Sequence, residues 1–105
     1  MFRQDFSVGT EKPAIDERVA AGAAFLEARH PNWDTRVDVG TLDIRKERYC
    51  ILGQLYESFY ETARIVLQLT DDEAARMGFT KYKSIAEFDE LTEAWKRLIM
   101  ARRAL

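Results

Sequence analysis

The sequence contains one cysteine and one histidine, two residue types that can act together as a nucleophile and its base. Cys50 and His30 would have to lie next to each other, with a third group orienting the imidazole, to work in this way. Cys50 begins an apolar segment, where a free cysteine behaves as a small hydrophobic residue. Because the sequence carries no other catalytic or nucleotide-binding motif, we expect no catalytic residues and no enzymatic activity.

Three aspartates lie close together in an irregular segment, at Asp34, Asp38 and Asp43. Carboxylate oxygens are the ligands that Ca²⁺ and Mg²⁺ prefer, but this spacing fits no known metal-binding loop. Aspartates in loops usually cap a helix or form an Asx turn. We therefore expect no metal site and no cofactor.

An aromatic band follows the longest apolar-periodic segment of the chain, with Phe59 among its members. Most such residues belong to a core, but tyrosine is also enriched in the parts of protein interfaces that carry the binding energy. The functional hypothesis is that the band forms an interface, either in a homodimer or with a host protein. The candidate partner-binding residues are Tyr49, Tyr56 and Tyr60.

Residues 69–88 superficially resemble a helix-turn-helix, in which Gly78 would form the turn. Ser84 and Glu87 then stand where the second helix should place buried Val or Ile. The chain has a net charge of −2 and lacks the broad basic surface of a DNA-binding domain, so a nucleic acid partner is not expected. The candidate phosphate contacts under this alternative are Lys81, Tyr82 and Lys83.

The elements that must position these residues are predicted to be helices. Apolar residues recur at spacings of three and four along 49–69, which predicts a central helix over about residues 48–69. Its apolar face is wider than a simple stripe, so we expect it to be covered on more than one side. The residues that define this periodicity are Leu52, Leu55, Tyr56, Phe59, Ala63 and Val66.

Further helices are expected around the central one, near residues 12–29, 71–77 and 85–103. Apolar residues alternate with polar ones over residues 36–45, which predicts a loop or a minimal β-hairpin. Residues 1–9 form a short N-terminal arm in this interpretation. The fold class is therefore mainly α, a compact bundle of three to four helices in a single domain over residues 1–105.

Local signals predict where several helices begin and end. Thr70–Glu73 and Ser84–Glu87 both match a capping box, in which a hydroxyl and a carboxylate pair with backbone N–H groups at a helix start. Gly78 matches the left-handed residue that commonly ends a helix. The first helix is rich in alanine over residues 20–24, and we expect this side to approach the central helix near Gly53.

Composition restricts the compartment. A single cysteine among 105 residues forms no internal disulfide, which favours a reducing compartment. No apolar run approaches the roughly 18 residues that a bilayer crossing needs, and the first residues lack the apolar region of a signal peptide. We expect a cytoplasmic protein without a membrane partner.

Several short motifs together form a pattern along most of the chain. It resembles small proteins of unknown function encoded by actinobacteriophages and by related actinobacterial genomes. The resemblance implies an origin and a setting in the host cytoplasm; it implies no activity, and no functional residue can be transferred. The matching residues are Trp33, Arg36-Val37-Asp38, Thr41-Leu42-Asp43, Cys50-Ile51-Leu52-Gly53-Gln54-Leu55-Tyr56, Gly78-Phe79 and Leu91-Thr92-Glu93-Ala94-Trp95-Lys96.

The sequence thus favours a small non-enzymatic interaction protein, a phage accessory factor that binds a host or phage protein or associates with itself. The alternative is a small DNA-binding regulator with a degenerate helix-turn-helix at about residues 69–88.

Overall fold

Residues 14–104 are described by the computed structural model, and they are mainly α-helical with no β-strand in that range. This confirms the predicted fold class. The N-terminal arm and the start predicted for the first helix lie outside the described residues. The described helices are α1 (Ile15–Arg29), α2 (Ile51–Leu55), α3 (Tyr60–Val66), α4 (Asp71–Arg76) and α5 (Glu87–Arg103), with a 3₁₀ turn at Trp33–Arg36.

The two longest helices, α1 and α5, pack side by side and run in the same direction. Asp16 near the start of α1 pairs with Arg97 at 3.2 Å, and Glu27 near its end pairs with Arg102 at 2.5 Å. Apolar side chains of both helices are fully buried between them and their neighbours. These core residues are Val19 and Leu26 of α1 and Leu91, Trp95 and Ile99 of α5.

Gly22 shows how closely α1 approaches its neighbours. A Cβ atom at this position would lie 2.1 Å from the carbonyl oxygen of Met77 and 2.9 Å from Cζ2 of Trp95. The small side of α1 therefore packs against α5 and the end of α4. The expected approach near Gly53 was wrong, because the space beside that glycine is filled by the carbonyl of Glu47.

The predicted central helix over 48–69 is also wrong as one continuous element, because the chain breaks after α2. Glu57 adopts a left-handed φ of 51°, and the N–H of Ser58 donates to the carbonyl of Gly53 at 3.0 Å. Together with a bond from Glu57 to the carbonyl of Gln54, this is a Schellman motif, which ends a helix. Phe59 is extended and becomes the N-cap of α3.

The end of α3 repeats this geometry. Gln68 has a φ of 60°, and the N–H of Leu69 donates to the carbonyl of Arg64 at 3.0 Å. The predicted capping box that follows is confirmed. The Thr70 hydroxyl accepts from the N–H of Glu73 at 3.0 Å, and the Glu73 carboxylate accepts from the N–H of Thr70 at 2.8 Å.

A third Schellman motif ends α4, and here the predicted glycine stop is confirmed. Gly78 has a φ of 74° and donates to the carbonyl of Ala75, while Phe79 donates to the carbonyl of Ala74. The Phe79 ring is buried and stacks on Trp95, with ring centres 5.7 Å apart. This helix end is therefore tied directly to the core.

The second capping box, at Ser84–Glu87, is not formed. The N-cap of α5 is Ala86, which lacks a capping side chain, and its N–H donates to the Ser84 hydroxyl at 3.2 Å. Glu87 instead turns its carboxylate into the interior, where it pairs with Arg18 at 3.0 Å. The prediction failed because a buried cation competes more strongly for this carboxylate than an exposed N–H does.

Residues 36–45 were predicted to be a loop or a minimal β-hairpin. They form a loop, because the described chain has no strand there. Val37, Leu42 and Ile44 are buried, so the loop sends its apolar residues inward. The N–H of Ile44 donates to the Thr92 hydroxyl at 2.9 Å and so ties the loop to α5. Over residues 14–104, no helix has the length and apolar character needed to cross a bilayer.

Candidate functional site

α3 exposes most of its apolar surface. Ala63 is the only residue of this helix that is buried, whereas Ile65 is 60% exposed and Val66 is 65% exposed. Phe59, at the N-cap, is 48% exposed and lies seven residues before Val66, which is two helical turns. Thr62 is exposed between them. We refer to Phe59, Thr62, Ile65 and Val66 as the α3 face.

The inward side of α3 and its polar contacts, rather than this apolar face, fix the helix in place: Ala63 belongs to the buried core, and Tyr60 and Leu67 pack against it. The N–H of Tyr60 donates to the carbonyl of Glu47 at 3.0 Å. The Arg64 guanidinium donates to the carbonyl of Leu69 at 2.6 Å and pairs with Glu61 at 2.5 Å. The outward side chains of α3 are therefore not needed to hold the helix on the protein.

Arg48 borders the α3 face, with its guanidinium 5.4 Å from the ring centre of Phe59. Such a cation–π contact at an exposed site contributes about 0.5–1 kcal/mol. An apolar centre with an aromatic residue and an arginine at its edge has the composition of an interaction surface.

The three tyrosines predicted to bind a partner do not form one band, because the helix that was to carry them is broken. Tyr49 precedes α2 and is 47% exposed. Tyr56 follows α2, and its hydroxyl lies 2.7 Å from Nε2 of His30. Tyr60 begins α3, and its hydroxyl donates to Asp71 at 3.1 Å. The role of these residues in partner binding stays a prediction.

Burial raises the pKa of the Tyr60 phenol, and the Asp71 carboxylate that accepts its hydrogen bond adds to the effect. Burial also raises the pKa of Tyr56, although the charges of Arg29 and Arg36 partly oppose it. Both phenols are therefore neutral near pH 7 and are used in contacts within the molecule.

The helix-turn-helix geometry is absent from the described chain. Residues 77–86 separate α4 from α5, whereas the turn in that motif has about 3–4 residues. Tyr82 is half-buried, with its ring 4.6 Å from the Arg18 guanidinium. Lys81 is half-buried and Lys83 is exposed. The segment is an ordered connection packed on α1, not a turn that presents a recognition helix.

Cys50 and His30 belong to different local networks. The Cys50 sulfur accepts from the N–H of Gly53 at 3.3 Å and donates to the carbonyl of Glu47 at 3.4 Å. Burial raises the pKa of the Cys50 thiol to about 11, which keeps it protonated and poorly nucleophilic at neutral pH. His30 contacts Tyr56 instead.

Two of the loop aspartates form the expected turns. Asp38 accepts from the N–H of Gly40 at 2.9 Å, and Asp43 accepts from the N–H of Arg45 at 3.0 Å. Asp34 is nearly buried and lies 3.5 Å from Arg102. Within residues 14–104, no three His, Cys, Asp or Glu side chains converge into a possible metal site.

A buried ion pair is the main polar feature that sequence reasoning missed. The Arg18 guanidinium is almost fully buried; it pairs with Glu87 and donates to the carbonyls of Ala75 and Thr80, both at 2.8 Å. The Glu87 carboxylate also accepts from the N–H of Tyr82 at 2.9 Å. The network holds residues 77–86 between α1 and α5.

Helical spacing contained a signal for this pair. Arg18 lies three residues after Ile15 and four before Gly22, on the same side of α1 as Leu26. A charged residue in an apolar stripe indicates a buried partner.

Comparison with known proteins does not place the chain in a family: no family model, no curated protein and no solved structure matches it.

Proposed function

We propose that this is a non-enzymatic interaction protein that binds another protein through the α3 face. The observation that carries the proposal is the exposure of Ile65 and Val66, 60% and 65%, on a helix that buries only Ala63. Apolar side chains grouped on one exposed helix face lower the free energy of the complex when a partner removes them from water.

The surface extends beyond α3 itself. A stable protein complex buries about 800 Å² on each partner, which is more than four side chains provide. Arg48 contacts Phe59 and extends the surface past α3, and its chain neighbour Tyr49 is 47% exposed. We include Tyr49 in the proposed surface. Tyr56 and Tyr60 support it indirectly, since their hydroxyls hold the ends of α2 and α3.

The class of partner rests on the resemblance to actinobacteriophage proteins. It supports a phage accessory factor that acts in the host cytoplasm and binds a host protein. The alternative partner is a second copy of the same chain. The DNA-binding alternative has lost its main support, because residues 69–88 do not form the compact two-helix unit on which it rested.

The test uses two matched substitutions, Val66→Glu in the α3 face and Met100→Glu on α5. Both residues are exposed and apolar, at 65% and 56%, so neither change should unfold the protein. Each variant and the wild type serve as bait in actinobacterial lysate, with and without nuclease. Sedimentation of the purified proteins measures self-association in parallel.

We expect a partner, or a dimer, that the wild type and Met100→Glu retain and Val66→Glu loses, with nuclease having no effect. Retention by all three proteins would contradict a role for the α3 face. Material that disappears on nuclease treatment would favour the DNA-binding alternative.

A further inference from the structure

A cavity of about 430 Å³ opens beside the start of α3. Its apolar floor comes from distant parts of the chain: Ile44 from the loop before α2, Phe79 from the end of α4 and Phe88 from the first turn of α5. Ile44 and Phe79 are buried residues of the core. The volume lies within the roughly 300–1,000 Å³ of small-molecule sites.

Charged side chains stand at the rim of this cavity, and most are already paired. Arg45 lies 3.4 Å from Asp89, and its guanidinium is 5.6 Å from the ring centre of Phe88. Glu61 pairs with Arg64 at 2.5 Å. Glu47 differs, because its carboxylate has no hydrogen-bond or ion-pair partner among residues 14–104.

The backbone fixes Glu47 at this rim. Its carbonyl accepts from the N–H of Tyr60, the residue that begins α3, and from the Cys50 thiol. These two contacts fix the backbone of Glu47, and its exposed carboxylate is a negative charge at the rim that has no partner among residues 14–104. Phe88 is half-buried and offers apolar surface to the body of a ligand.

We propose that this cavity binds a small organic cation with an apolar body, of the arylalkylammonium class. The ammonium group pairs with the Glu47 carboxylate, and the apolar body rests against Ile44 and Phe88. This site is separate from the α3 face, and it holds or fails independently of the proposed interaction function.

The probe is phenethylamine, with 3-phenylpropionate as an anion of similar shape. Titration into the ¹⁵N-labelled protein, followed by NMR, measures both affinity and location. We expect saturable shifts around Ile44, Tyr60 and Phe88 with the amine, and weaker or no binding of the carboxylate. Glu47→Gln should weaken amine binding about fivefold, the effect of one partly exposed ion pair of about 1 kcal/mol.

Glu57→Gln is the matched control, since Glu57 is an exposed carboxylate that does not line the cavity. It should leave the amine affinity unchanged, as should Val66→Glu in the α3 face. The proposal is overturned if the carboxylate binds better than the amine, if Glu47→Gln has no effect, or if neither probe gives saturable shifts at the cavity.

Discussion

Two regions of this chain have similar apolar periodicity and opposite outcomes. The region that became α5 is one helix from Glu87 to Arg103, whereas residues 48–69 are divided into α2 and α3. In α5 the backbone continues, and its apolar stripe is buried against α1 and the 3₁₀ turn at Trp33–Arg36. In the other region the stripe is interrupted by Glu57 in the left-handed conformation. Periodicity therefore indicates which residues are buried, but it does not show whether the backbone continues between them.

The two pieces of the divided region also differ from each other. α2 is buried on nearly all sides, with Ile51 and Leu52 fully inaccessible. α3 is covered on one side only. The break separates a core segment from a surface segment, so one apolar pattern serves two purposes.

The largest expected effect on stability comes from removing the buried ion pair at the start of α5. Glu87→Ala leaves the Arg18 guanidinium buried without its carboxylate, and we expect the free energy of unfolding to fall by about 3–5 kcal/mol. Urea denaturation followed by circular dichroism measures this change. Asp89→Ala, which removes the exposed partner of Arg45, is the control and should cost no more than about 0.5 kcal/mol. Equal losses in the two variants would show that burial of the pair is unimportant.

An intermediate effect concerns Cys50, the N-cap residue of α2. The pKa of the Cys50 thiol is about 11 in the folded protein, whereas the ordinary pKa of a cysteine thiol is 9.0. Folding therefore favours the neutral thiol. That stability is fully present below pH 9 and is lost as the pH rises to about 11, a change of about 2–3 kcal/mol. Urea denaturation under reducing conditions at several pH values tests this.

Cys50→Ala lacks the titrating group and should show a smaller loss between pH 9 and 10. Above pH 10 two half-buried tyrosines add a loss of the same sign to both proteins, because partial burial raises the pKa of Tyr56 and Tyr60 as well. The same slope in the variant as in the wild type between pH 9 and 10 would refute the assignment to Cys50.

The smallest expected effect on the free energy of unfolding is at Glu57, where the chain breaks between α2 and α3. A left-handed conformation costs a residue with a Cβ about 1–2 kcal/mol, and glycine avoids that cost but loses more entropy on folding. Glu57→Gly should therefore raise the free energy of unfolding by about 0.5–1 kcal/mol. Thermal unfolding measures the gain. Glu57→Gln, which removes only the charge, should give little change; a destabilised glycine variant would mean that Glu57 makes other contacts that matter more.

The ends of α2, α3 and α4 show how much of the fold could be predicted from the sequence. The stop at Gly78 was predicted, because glycine is the usual residue at that position. Glu57 and Gln68 adopt the same conformation without any such signal, so the division of residues 48–69 could not be foreseen. Both residues carry a Cβ atom, so their local preference is against the left-handed conformation that they adopt.

The candidate sites were less predictable than the helices, for a related reason. The aromatic character of Phe59 and Tyr49 was visible, but their exposure depends on where the chain turns. The cavity joins Ile44, Phe79 and Phe88, which are far apart in sequence, so no local pattern could indicate it. Glu87 was assigned to a cap because its partner Arg18 lies on another helix.

The aromatic core makes the protein its own optical probe. Its two tryptophans, Trp33 and Trp95, are completely inaccessible and touch edge to face, with ring centres 5.7 Å apart. Indole emission and near-ultraviolet dichroism therefore report the integrity of this core, and both should change together on unfolding. A partner on the α3 face would meet neither indole, so its arrival leaves the emission of Trp33 and Trp95 unchanged and has to be followed with a dye.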